Sequence, residues 1–173
     1  RATNQRSITF KEACKQFIQS KHSEWTNAKH AKQWVSTLKT YAEPVLGNHA
    51  VAVIDTPLVI RVLNQDVRNK DGESEGTLWS ARTSTAVRLR DRIEAVLNWA
   101  KASGYREGEN PAAWKGLLEN LLPNPNKIHK EKHYDAIPYS EVGDFLKTLR
   151  KRQGIASKGL EFLIMTAVRS GSL

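Results

Sequence analysis

Arg169 closes the apolar run Leu160-Glu-Phe-Leu-Ile-Met-Thr-Ala-Val168 and is followed by Ser170-Gly171. The run is too short to span a bilayer, so it is expected to be a core helix. A cation at the end of such a helix must meet an anion or a carbonyl, because an unpaired buried charge is too costly. Two uses are open to it. It can stabilise negative charge developing on phosphoryl oxygens, or it can cap the last carbonyls of its own helix.

The other chemistry-bearing residues are cations gathered in acid-free stretches. The chain has 173 residues and a net charge of +9, which points to a polyanionic partner, with nucleic acid first. Between Trp25 and Ala42 there is no acidic residue. At helical spacing Lys29, Gln33, Ser36 and Thr40 form a stripe opposite the apolar positions, flanked by Lys32 and Lys39. Between Gly76 and Arg90 there is again no acid. There Thr85, Arg88 and Arg92 line one flank of a helix, with Asp91 and Glu94 turned to the other. Such a surface suits phosphates, and Gln33 and Arg88 could reach base edges or backbone alike. The alternative is a solvated basic face. Lys127, Lys130 and Lys132, with His129 and His133, would make a phosphate-tracking strap or else a solvated hinge.

Other chemistries find little support. His22 and His30 lack ligand-pair spacing, and His129 and His133 stand without a cysteine or carboxylate cluster, so no metal site and no cofactor is expected. Cys14 is the sole cysteine, which excludes an internal disulfide, and it falls on an apolar helix face. Five tryptophans spread one per element suit core filling better than a base-stacking platform. No phosphate-cradling glycine loop, Ser-His-Asp set or carboxylate pair is legible. No leader or membrane span is visible, and a cytoplasmic, nucleoid-associated location in a bacterial cell is expected.

The elements that must carry these residues read as helices nearly throughout, so the fold class is all-α. Thr9 and Glu12 have capping-box spacing ahead of Phe10, Ala13, Cys14, Phe17 and Ile18. Asn27 can cap a second helix bearing Trp34, Val35, Leu38 and Tyr41, closed by Pro44 and Gly47. Thr56-Pro57 opens a third through Leu63. The polar segment from Asn69 to Gly76 reads as a flexible surface loop. A fourth helix runs from about Thr83 or Thr85 to Ser103, with Ala86, Leu89, Ile93, Val96, Leu97 and Ala100 inward and Gly104 as its stop. Asn110-Pro111 starts a fifth with Trp114, Leu117, Leu118 and Leu121. Ser140 is expected to cap a helix through Leu149, and a last helix covers about Ala156 to Val168.

The text Thr166-Ala-Val-Arg169-Ser-Gly171 resembles the box that carries the first catalytic arginine of tyrosine recombinases, the phage and prophage integrases, with Ser172 where that family usually has glutamate. Tyr41-Ala-Glu-Pro44-Val-Leu-Gly47, Arg92-Ile-Glu-Ala-Val-Leu-Asn-Trp-Ala100, Gly104-Tyr-Arg-Glu-Gly-Glu-Asn-Pro111 and His133-Tyr-Asp-Ala-Ile-Pro138 are similar to further integrase boxes, in the same order. The resemblance implies a SAM-like core-binding helical bundle over 1–125, a basic linker over 126–137, and over 138–173 the first helices of a truncated catalytic domain. It implies binding of double-stranded DNA, with other integrase protomers as partners in the intact protein. It also implies site-specific recombination through a 3′-phosphotyrosyl intermediate, with Arg169 catalytic and the nucleophile beyond this chain, which reads as cut at both ends and inactive alone. The rival functions are a basic helical protein–protein module and a transcriptional regulator.

Overall fold

The computed structural model describes residues 7–25, 27–128, 135–169 and 171. The chain divides into two compact units, Arg1–Lys130 and Glu131–Leu173.

In the first unit, α1 (Phe10–Lys21) starts at the expected capping box, with Glu12 accepting from the Thr9 main chain and Thr9 accepting from the Glu12 amide. Phe10, Ala13, Cys14 and Phe17 are its buried face. Asn27 caps α2 (Ala28–Thr37) by accepting from the amides of Lys29 and His30. Pro44 does not close this helix. Proline has no N–H to give, and the chain absorbs the gap by widening into a π-helical turn over Leu38–Ala42, in which the Glu43 amide reaches back to Leu38. Helix continues as α3 (Glu43–Leu46), which carries Pro44 in its first turn. The next helix, α4 (Thr56–Leu63), opens at Thr56-Pro57 and runs through Leu63 as expected, with Asp55 as its cap; after it the chain departs from the all-α expectation.

The stretch read as a flexible loop is a hairpin, β1 (Asp66–Arg68) against β2 (Ser74–Thr77). Its composition is polar, but Val67 is buried and anchors it. The Asn69 side chain accepts from the amides of Asp71 and Glu73, both at 2.9 Å, and Gly72 takes the positive φ of 83° that the turn requires. Arg82 binds the Arg68 carbonyl at 3.2 Å and the Glu75 carboxylate at 2.7 Å, tying both strands to the start of the next long helix.

That helix, α6 (Thr83–Ala102), follows the short α5 (Leu78–Ala81) and is the axis of the unit. It packs on α1, α4, α5 and the π turn. Ala86, Leu89, Ile93, Val96, Leu97 and Ala100 are all fully buried, as their spacing predicts. Each Leu, Ile or Val removed from water there contributes about 1.5–3 kcal/mol. Gly104, at φ 76°, ends the helical path.

The expected fifth helix is absent. Gly116 at φ 79° and Leu117 at φ −129° break it, leaving turns and a 3-10 turn over Leu118–Asn120. Leu118 is buried as expected, whereas Leu121 is mostly exposed. A short helix, α7 (Pro125–Ile128), then packs against α6.

The second unit holds α8 (Val142–Arg150) and α9 (Ile155–Thr166), joined by an Arg150–Glu161 ion pair at 2.7 Å. A 3-10 turn over Tyr139–Glu141 precedes α8, and Ser140 does not cap it. Among the described residues of this unit only Leu149 is buried. The run expected to be a core helix therefore has an open apolar face, with Phe162 half-exposed and Met165 more so. Ala167 turns left-handed at φ 53°, so helix stops at Thr166 and Val168 and Arg169 lie beyond it.

Candidate nucleic-acid interface

The first unit brings most of the expected cations onto two helices, α2 and α6. On α2, Lys29, Lys32, Gln33 and Ser36 are all exposed, as is Lys39 in the π turn that follows. The Asn27 cap fixes where this stripe begins. Lys32, Ser36, Lys39 and Thr40 line a groove of about 470 Å³ that also exposes Ile18 and Val35. Gln33 lies on the other flank of α2, towards α6.

There it meets the α6 residues. Gln33, Thr37, Thr85, Arg88 and Arg92 line one cleft of about 210 Å³. Sequence spacing could not show that the two acid-free segments converge; the π turn packs on α6, and Arg92 of α6 bonds the Gln33 carbonyl of α2. Thr37 was not singled out, although it stands one helical turn after Gln33 on the same flank. Its hydroxyl donates to the Gln33 carbonyl at 2.7 Å.

Arg88 and Arg92 are differently placed. Arg88 is exposed and also lines a second cleft of about 310 Å³ with Thr83, Ser84, Pro125 and Asn126. Arg92 is only 8% exposed. Its Nη1 donates to the Gln33 carbonyl at 2.7 Å, and its guanidinium carbon lies 5.3 Å from the centre of the Trp34 ring. Burial, and after it the charge of Arg88, pull the Arg92 guanidinium below its ordinary value. Arg92 thus joins the two helices as well as facing the cleft between them. Ser84 and Asn126 were also passed over in the sequence; Ser84 adjoins Thr85 in the acid-free run, and Asn126 carries no local signal.

Acids are held off this face. Asp91 and Glu94 both pair with Arg90, whose other bond goes to the Ala112 carbonyl. Among the described residues, none of Lys29, Lys32, Lys39, Arg88, Arg92 and Lys127 forms an ion pair with a carboxylate.

Lys127 is exposed on α7, beside Asn126 of the second cleft. Lys130 and Lys132, with His129 and His133, lie outside the described residues. Arg169 is exposed in the second unit. Cys14 is buried, and burial pushes its thiol well above the ordinary range. No group of three or more His, Cys, Asp or Glu side chains that could hold a metal occurs among the described residues. No helix among them is long and apolar enough to cross a membrane.

The tryptophans pack rather than present a stacking platform. Trp79 is buried, and Trp25 and Trp34 gather with Phe17 and His30. Trp99 lies against Tyr105.

This arrangement can be set beside known proteins. The solution NMR structure of protein Nmul_A0922 from Nitrosospira multiformis is similar, at 46% sequence identity and a TM-score of 0.53, over 65% of this chain and 94% of that one. No curated protein matches the chain. The model of the phage integrase central domain, the module that in integrases binds DNA, matches residues 10–117. That span contains α1 to α6, both acid-free segments and the cleft between them, and the chain belongs to the phage integrase central domain family.

Proposed function

We propose that the first unit binds duplex DNA through the face formed by α2, the start of α6 and α7, as the core-binding module of a site-specific tyrosine recombinase. The observation that carries this reading is the convergence of Gln33, Arg88 and Arg92 on one acid-free cleft, flanked by Lys29, Lys32, Lys39 and Lys127. Lysines along α2 would follow one phosphate backbone. Gln33, at the junction of the helices, would be the residue nearest to base edges, with Arg88 beside it on the backbone. Lys130 and Lys132, further along the sequence, would add to the same contact.

In the intact recombinase the residues from 138 onwards would open the catalytic domain. Arg169 would be the first of the arginines that stabilise charge on the nonbridging oxygens while a tyrosine attacks the phosphodiester. Its exposed position past the end of α9 is compatible with a guanidinium that meets the phosphate of bound DNA. In such a protein Arg169→Ala would abolish strand cleavage and leave DNA binding in place.

The test is the salt dependence of duplex binding by the chain. Release of counterions makes the affinity fall linearly with salt on logarithmic axes, with a slope near the number of phosphates contacted. A steep slope is expected. Affinity that is flat in salt, or absent at low salt, would favour a helical protein–protein module instead.

A further inference from the structure

Arg92 and Arg88 are two like charges on one cleft, and neither has a carboxylate partner among the described residues. Arg92 is more than nine-tenths buried. Of its five N–H donors, one bonds the Gln33 carbonyl. None of its polar atoms is sealed off without a partner, and its side chain lines the cleft, where the remaining donors can meet a ligand. A buried cation facing a second cation without an acid is an electrostatically incomplete arrangement.

Arg106 shows what a purely structural buried arginine looks like in the same fold. It is 5% exposed, but it donates to two carbonyls, of Val51 and Glu109, and has no neighbouring cation acting on it. Arg92 has one carbonyl, one aromatic face and Arg88.

We propose that the cleft between α2 and α6 is a receptor for a single backbone phosphate, gripped jointly by Arg88 and Arg92, with the Thr85 hydroxyl beside them. The proposal rests on the DNA-binding reading and sharpens it, because it assigns Arg92 to one phosphodiester rather than to a base or a diffuse field. Two guanidinium groups can offer a phosphate oxygen pair several charge-assisted bonds at once. The bond from Arg92 to Gln33 holds the receptor in shape before the ligand arrives, so little ordering is left for binding. It also makes α2 and α6 move as one body on DNA.

The experiment follows the Arg88 and Arg92 Nε–H signals by NMR. The wild-type chain is titrated with an arbitrary duplex and, separately, with inorganic phosphate at constant ionic strength. Duplex should shift both signals, with or without a response to inorganic phosphate. A response to inorganic phosphate alone would make the cleft a small-anion site and overturn the assignment to DNA, as would an Arg92 signal that neither ligand moves. In parallel, Arg88→Gln, Arg92→Gln and the double variant are compared by the salt slope of duplex binding. Because one phosphate is shared, each should lose about one unit of slope, and the double variant also about one rather than two. A loss of two units, or none, would refute a shared receptor. Arg88 is exposed, so its variant stays informative should Arg92→Gln fold poorly. If Lys29 and Lys32 variants weaken binding while these do not, the receptor fails and the DNA face stands.

Discussion

Trp79 and Trp114 stack with ring centres 5.5 Å apart and planes 25° from parallel. The Trp79 indole also donates to the Pro123 carbonyl at 2.9 Å. Together these contacts hold the segment after α6 against α5, and so place α7, with Lys127, beside the start of α6 where Arg88 stands. A core contact thus sets the edge of the proposed DNA face.

Trp79→Ala should therefore destabilise the first unit by about 3–5 kcal/mol, the range for emptying a buried aromatic site. Trp79→Phe keeps most of the packing but leaves the Pro123 carbonyl without its donor, and should cost about 1–3 kcal/mol. Urea unfolding checks both. Equal losses for the two variants would show that the indole N–H, not the ring, carries the contact.

The α1 capping box makes stability depend on pH. The main-chain N–H of Thr9, and after it the Thr9 hydroxyl, hold the Glu12 carboxyl below its ordinary value of 4.5. A carboxyl more acidic in the folded state adds stability that is present above its unfolded pKa and lost as pH falls through the folded one. Glu12→Gln should therefore flatten the stability curve below about pH 4.5 while following the wild type's shape above it. Melting temperatures across that range decide it; curves that stay parallel in acid would contradict the cap.

The hairpin over 66–77 should show itself in hydrogen exchange. The Asn69 amide bonds the Glu73 carbonyl at 2.9 Å, and the Leu78 amide bonds the Gln65 carbonyl at 2.9 Å. Both amides should exchange far more slowly than in a free peptide, and Arg82→Ala should speed the Asn69 amide by releasing the strands. Peptide-like exchange in the wild type would return this segment to a loop.

Helical periodicity made α1, α4 and α6 legible because each buries one continuous stripe. The caps at Thr9 and Asn27 were legible because their side-chain bonds are local. What escaped the sequence depended on contacts far along the chain or on backbone geometry that composition does not report. Val67 anchors a hairpin whose other residues are polar, and Arg82 reaches it from outside. Pro44 looked like a stop, but a π turn absorbed it. Asn110-Pro111 looked like a start, but Gly116 and Leu117 broke the path. For the site, the two acid-free segments were visible, whereas their meeting at one cleft was not. Arg92 in particular looked like one more surface cation, and its burial against Gln33 and Trp34 spans 59 residues of sequence.

The central claim is that DNA lies on the face of α2 and α6, and one comparison tests it most directly. Lys29, Lys32 and Arg88 are replaced together by alanine and measured for duplex affinity across salt. A control lacks three exposed lysines elsewhere in the first unit, Lys11, Lys15 and Lys101. Both variants lose the same charge, and exposed substitutions should leave the melting temperatures of both near that of the wild type. The account predicts that the face variant binds much more weakly, with a salt slope shallower by about one unit for each lost phosphate contact, while the control changes little. Equal loss in the two variants, or no loss in the face variant, would contradict it.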